Sequence, residues 1–264
     1  LVRLQAIDPA TLSPEERIDL ESILYTRRSA EAVQAFDFGG YSYGPSPYVV
    51  SQLSGAYQSV PDFLDTKHKI ATAGDADAYL MRLRAFGRQM EAQTDRMRHD
   101  AGQGVVPPDF ILDLALEQMG KSRQPASEAL VVQSLARRAA EKGLGDRYAQ
   151  AAAKIYETEV LPALDRQIAY AKELRKRATH DAGVWKLREG AAYYPVALKA
   201  NTTTSFSPDE VHRFGRDQAA MLSARLDALL KKQGFTKGTV GQRMAALYRN
   251  PDQLYPNTDE GKRA

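Results

Sequence analysis

Apolar residues recur at three- and four-residue steps along most of this chain, and strictly alternating runs are scarce, so the pattern predicts a mostly α-helical protein. From Asp75 to about His99, Tyr79, Leu83, Phe86, Met90 and Met97 keep that period with arginines between them, which predicts one long amphipathic helix. A second helical stretch runs from Gly145 to about His180. Pro162 interrupts it, and the missing N–H together with the clash against the preceding turn predicts a bend there. Ser13-Pro14-Glu15-Glu16 is a helix-start box for a helix reaching about Ala35, and Ser207-Pro208-Asp209-Glu210 is another for a helix reaching about Gln233. In the latter, Val211, Phe214, Leu222, Leu226 and Leu229 are expected inward, with Gly234-Phe235 as its C-terminal stop. Shorter helices are expected over DFILDLALEQMG after Pro107-Pro108, from Pro125 to about Lys142, and from Val240 to Tyr248. The expected architecture is an irregular multi-helix bundle with long amphipathic helices, a single all-helical region over 1–264 with a sub-boundary near 181–190.

One segment breaks the periodicity. FDFGGYSYGPSPY, Phe36 to Tyr48, combines glycine, proline and five aromatics and reads as a long ordered loop, since its rings need something to pack on.

Composition narrows the classes. With 264 residues, 43% hydrophobic and 26% charged, the chain can bury a substantial core. Its 36 basic and 33 acidic residues are spread along the length without a basic block, so nucleic acid is not a predicted partner. The absence of cysteine removes disulfides, thiol catalysis and Cys-ligated zinc. No apolar run approaches the roughly 18 residues of a membrane span, and no signal peptide opens the chain. The chain starts at Leu1 within what reads as an ongoing element, and its tail NPDQLYPNTDEGKRA carries helix-start residues with no helical pattern behind them. The expectation is that the polypeptide continues beyond these residues.

Candidate chemistry is sparse. His68, His99, His180 and His212 stand far apart, no two at the helical spacing that presents a metal-binding pair, and HExxH is absent, so no complete zinc site and no bound metal are expected in this chain. His99 and His180 fall near predicted helix C-termini, where terminal carbonyls favour a cation, and read as structural. There is no nucleophile elbow and no glycine-rich phosphate loop. What remains is GAAYYPVALKANTTT and the helix after it. Tyr193, Tyr194, Thr202, Thr203 and Thr204 cluster hydroxyls on one short connection, and His212 follows in the first turns of the next helix. Two readings stand: a buried helix followed by a turn, or an extended segment lining a substrate cleft.

The order PYVVSQLSGAYQSVPDFLDTKHKI, DADAYLMRLRAFGRQM, GVVPPDFILD, VLPALDRQIAY and GVWKLREGAAYYPVALKANTTTSFSPDEVHRFG resembles the bacterial DUF885 family from about Leu4 to the end, the last block being its most specific part. The resemblance implies a helical, zinc-dependent metallopeptidase-like hydrolase. In such proteins the complete chain is about twice this long and exported, usually to the periplasm, and an HExxH-type motif sits in the C-terminal half. These residues would then be the N-terminal part of a two-lobed protein, contributing scaffold and part of a cleft for a peptide substrate, with the TTT segment facing it. A non-catalytic helical binding or scaffold module is the alternative.

Overall fold

The computed structural model describes residues 1–41 and 44–263. Helical residues make up 68% of the chain, and the sheet among the described residues is one hairpin of two-residue strands. The chain divides into two compact units, Leu1–Thr204 and Ser205–Ala264. The expected sub-boundary at 181–190 lies inside the first unit, as the turn before that unit's last helix.

The first unit holds α1 (Val2–Gln5), α2 (Pro14–Gln34), β1 (Gly40–Tyr41), β2 (Pro45–Ser46), α3 (Ala56–Asp62), α4 (Ala73–Gly102), α5 (Asp109–Ser122), α6 (Leu130–Glu141), α7 (Arg147–Ile155), α8 (Leu161–Arg175) and α9 (Gly190–Thr202). α2 starts on the box read from the sequence: the Ser13 hydroxyl accepts from the Glu16 N–H, and Glu16 returns to the Ser13 N–H. α4 is the long helix expected at 75–99 and starts two residues earlier, because Thr72 and Asp75 form a second such box. Its apolar stripe, Tyr79, Leu83, Phe86, Met90 and Met97, is buried and forms the spine of the main core, against which α8 packs most extensively.

Around Pro162, where a bend is expected, the helical stretch is divided rather than continuous. Upstream of the proline the helix widens into a π-helical turn, Tyr156–Val160, and Pro162 then occupies the first turn of α8, where its missing N–H is harmless. α4 passes this turn so closely that a Cβ at Gly87 would stand 2.8 Å from the Glu159 carbonyl oxygen. A similar π-turn, Phe63–Lys67, follows α3. The helix expected from Pro125 begins later, at Leu130. The Glu128 and Ala129 N–H groups both bond to the Pro125 carbonyl, closing an isolated turn that the chain leaves again before α6.

The second unit holds α10 (Pro208–Lys232) and α11 (Val240–Tyr248). The Phe235 N–H reaches the Leu230 carbonyl at 2.9 Å and the Gly234 N–H reaches Lys231, the expected glycine stop. The inward placement of the α10 stripe is corrected: Phe214, Leu222, Leu226 and Leu229 are exposed. α11 is short and packs near the C-terminal end of α10, where Leu230 is buried and Arg243 pairs with Asp227.

Candidate functional site

The glycine- and aromatic-rich loop organises the site. Its described part folds back as the β1/β2 hairpin, in which Gly40 pairs with Ser46 and Tyr41 with Pro45. Ser42 and Tyr43 lie outside the described residues, so the expected loop is traced on either side of them. Gly39 makes the return possible: its φ is +66°, and a Cβ there would sit 2.2 Å from the Ser46 carbonyl oxygen.

Two acids fasten this loop to the last turns of α4. Asp37 lies 3.0 Å from His99 Nε2 and 3.8 Å from Arg96, and its carboxylate accepts from Gln103 Nε2 at 2.8 Å. The Gln103 hydrogen bond, then that of His99, holds its carboxyl below the ordinary value. Asp100 is 3% exposed and accepts the Gly39 N–H at 2.9 Å through Oδ2. Its Oδ1 stands 2.8 Å from Arg96 Nε, a charge contact in which neither atom completes a hydrogen bond. Burial dominates here and pushes the Asp100 carboxyl above its ordinary value, against the pull of Gly39, Arg96 and His99.

Behind the loop lies a small second core of Val33, Phe38, Tyr48, Val105, Leu187 and Tyr193. The Tyr193 ring packs edge-on to Phe36 and tilted on Phe38, at 5.3 Å between centroids in each case. The hydroxyls of Tyr48 and Tyr193 are both buried without a hydrogen-bond partner among the described residues. Burial lifts each phenol to about 12, and for Tyr193 the neighbouring Tyr48 adds to it. Orphaned buried hydroxyls are rare in natural folds, and two in one small core mark it out.

In front of Tyr48 a recess of about 260 Å³ opens between the loop and α4, with Ser46, Ser54, Ser59, Gln89 and Gln93 among its lining residues. None of its lining residues is charged. Ser46 and Ser59 already donate to the Tyr48 and Gly55 carbonyls, Ser54 meets Ser51 Oγ at 2.9 Å and Gln93 Oε1 accepts the Ala56 N–H, so the recess offers a neutral group chiefly the Gln89 amide and the Gln93 NH2, and no counter-charge to a phosphate or other anion.

The residues singled out from the sequence separate in space. Tyr193 belongs to this core, whereas Tyr194 faces solvent. The expectation of an extended TTT segment is corrected. Thr202 is the last residue of α9, Thr203 turns left-handed at φ +55°, and the Thr202 hydroxyl donates to the Leu198 carbonyl and meets Thr204 Oγ1 at 3.0 Å. The physical reason is local, since a threonine hydroxyl can bond back to the carbonyl four residues earlier and so stays with its own helix end. His212 belongs to the second unit, exposed in the first turns of α10. Tyr48, Asp100 and Arg96 were not legible as site residues. The only signal was the density of glycine and aromatic residues in the loop.

The donor set for a catalytic zinc does not fit these residues. Among the described residues no group of three His, Asp or Glu side chains converges. His68 is buried and gives Nε2 to the Asp75 carbonyl, His99 is held by Asp37, and His180 Nδ1 is 2.9 Å from Asp109. No helix among the described residues is long and apolar enough to cross a membrane.

Comparison with known proteins adds three findings. A family model described as bacterial protein of unknown function (DUF885) matches residues 1–264. The search of the curated proteins gave no match. A crystal structure described as the putative lipoprotein from Colwellia psychrerythraea superposes with a TM-score of 0.81 at 24% identity, over 95% of this chain and 49% of that one. The shared fold is thus common to both, and this chain spans about half the length of the solved one.

Proposed function

The chain belongs to the DUF885 family along its whole length, and we propose that it forms the helical scaffold and one wall of the substrate cleft of an exported, zinc-dependent peptide hydrolase. The metal and its general base would be supplied by polypeptide outside the described residues. The observation that carries the reading is the recess in front of Tyr48: it is formed, polar and uncharged, and so suited to peptide amides, which are neutral donors and acceptors. The half-length match to the solved chain supports the division of labour, because a wall without metal ligands is what one part of a two-part enzyme requires. The lipoprotein description of that solved chain supports export, with the periplasm as the finer expectation.

Within this reading the chain's own residues bind and orient. Gln89 and the Gln93 NH2 meet substrate amides, and Asp100 with Arg96 holds the loop that shapes the recess. The test is cleavage profiling of the natural polypeptide that carries this chain against a mixed peptide library, with chelation and zinc add-back. Chelator-sensitive cleavage that falls at least tenfold in Gln93→Ala supports the proposal. No cleavage under any metal condition would leave the non-catalytic binding module as the correct reading.

A further inference from the structure

α3 has a different neighbour on each side. Gly55 and Ser59, one turn apart, border the polar recess, whereas Tyr57 and Pro61, also one turn apart, line a second and larger cavity. That cavity has a volume of about 330 Å³, at the lower end of the range of small-molecule sites and room for on the order of ten waters. Its inner wall is made by Tyr57, Phe86, Val131, Tyr156, Val160 and Leu164, each nearly or wholly buried. Its mouth lies at the turn between α5 and α6, where Lys121, Gln124, Glu128 and half-exposed Leu130 stand.

Two features separate this space from a packing gap. First, the polar atoms of its deep wall are already spoken for. The Tyr156 hydroxyl donates to the Gln124 carbonyl at 3.0 Å, and the Tyr57 hydroxyl reaches the Ser51 carbonyl at 2.7 Å and Gln118 Oε1 at 2.8 Å. No lining side chain is among those with an orphaned buried polar atom, so nothing inside asks for water or for a charged ligand. Second, a π-helical turn borders it on two sides: Tyr156 and Val160 belong to one, and Pro61 leads into the other. Such turns carry a wider, less favourable hydrogen-bond pattern and recur at ligand sites. Here the one at 156–160 turns Tyr156 and Val160 into the same space.

We propose that this cavity is a binding site for a neutral, apolar small molecule of aromatic-ring or medium-chain size, distinct from the polar recess and independent of the peptidase reading. The apolar body would occupy the space between Phe86, Val160 and Leu164, and a single polar end would sit at the mouth near Gln124. The mouth charges do not select an anion, since Lys121 is already paired with Glu117 at 2.6 Å and an acid, Glu128, lines the same cavity.

The test is fluorescence titration of the natural polypeptide that carries this chain with N-phenyl-1-naphthylamine, a neutral probe that brightens on burial. Saturable binding of one probe per chain is expected. Ala129→Phe, which fills the cavity from its wall, and Leu130→Asp, which puts a charge on the exposed rim without touching the core, should each weaken binding at least tenfold. Leu130→Asp decides the matter where Ala129→Phe lowers folding yield. Decan-1-ol should displace the probe at least tenfold more effectively than decanoate. Absence of saturable binding, or binding unchanged in Leu130→Asp, overturns the site. Displacement by decanoate equal to that by the alcohol overturns the neutral class.

Discussion

Replacing Tyr193 by phenylalanine removes one oxygen, and the surroundings of that oxygen fix the sign of the effect. The ring is 2% exposed and its contacts with Phe36 and Phe38 survive the change. The hydroxyl has no hydrogen-bond partner among the described residues, so the folded state bears its desolvation without a compensating bond. In proteins that cost is about 1–3 kcal/mol. The void left by one oxygen forfeits a few dispersion contacts, each on the order of 0.1–0.2 kcal/mol. The net expectation for Tyr193→Phe is a gain of about 1 kcal/mol, which for a chain of this size raises Tm by about 2–4 °C. Urea unfolding with an unchanged m-value reads it directly. Tyr57→Phe is the opposite control. Its hydroxyl is bonded to the Ser51 carbonyl, and removal should cost about 1–2 kcal/mol. A loss of more than about 1 kcal/mol in Tyr193→Phe would refute the reasoning, because it would mean that the hydroxyl is held by a partner that this packing does not provide.

Three further outcomes are expected. Gly87→Ala should destabilise by about 1–3 kcal/mol in the same urea assay, because its Cβ would press on the Glu159 backbone at 2.8 Å and neither helix can give way cheaply. Asp100→Asn keeps an oxygen for the Gly39 N–H but removes a buried charge; because burial raises the folded-state pKa above the unfolded one, wild-type stability falls as pH rises through the ordinary carboxylate range. The Asn variant should therefore gain on wild type across that window in pH-resolved melts, levelling off above the raised value, and parallel curves would contradict it. Thr203→Gly should stabilise by about 1 kcal/mol by relieving a left-handed β-branched residue, measured by thermal melting.

The fold was legible where periodicity and caps agreed. Ser13 and Glu16, the stripe from Tyr79 to Met97, and Gly234 with Phe235 each marked an element by a local rule that tertiary packing had no reason to override. It was less legible where a rule was satisfied by a shorter structure. Pro125 heads a turn and not a helix: the Glu128 and Ala129 N–H groups close on its carbonyl, and the chain is extended again at Ala129 before α6 begins. α10 shows the limit of a periodic pattern: it predicts which face is apolar and says nothing about whether a partner within the same unit covers it. The site was hidden for a different reason. Asp100, Arg96 and Tyr48 are ordinary residues whose significance arises from burial without full hydrogen bonding, and burial of that kind is set by elements far apart in the chain, 61 positions in the case of Gly39 and Asp100.

The threonine run remains the most unusual local feature, and its three members divide the work. Thr202 and Thr204 need no functional account: one hydroxyl bonds back to Leu198 and also accepts the Thr204 N–H, which is how a helix end satisfies its polar groups without glycine. Thr203 is different. Its φ of +55° is a conformation that costs a β-branched residue about 1–2 kcal/mol, and glycine or asparagine would adopt it with little strain. Nothing its side chain does within the helix end offsets that cost, since its hydroxyl makes no hydrogen bond to another described side chain, whereas its N–H closes on the Lys199 carbonyl as any residue's would. Strain held without a local return points to a demand from elsewhere in the molecule. Thr203 is the penultimate residue of the first unit, with the second beginning at Ser205. A glycine there would relieve the strain but loosen the exit, because it opens backbone conformations that a β-branched residue forbids.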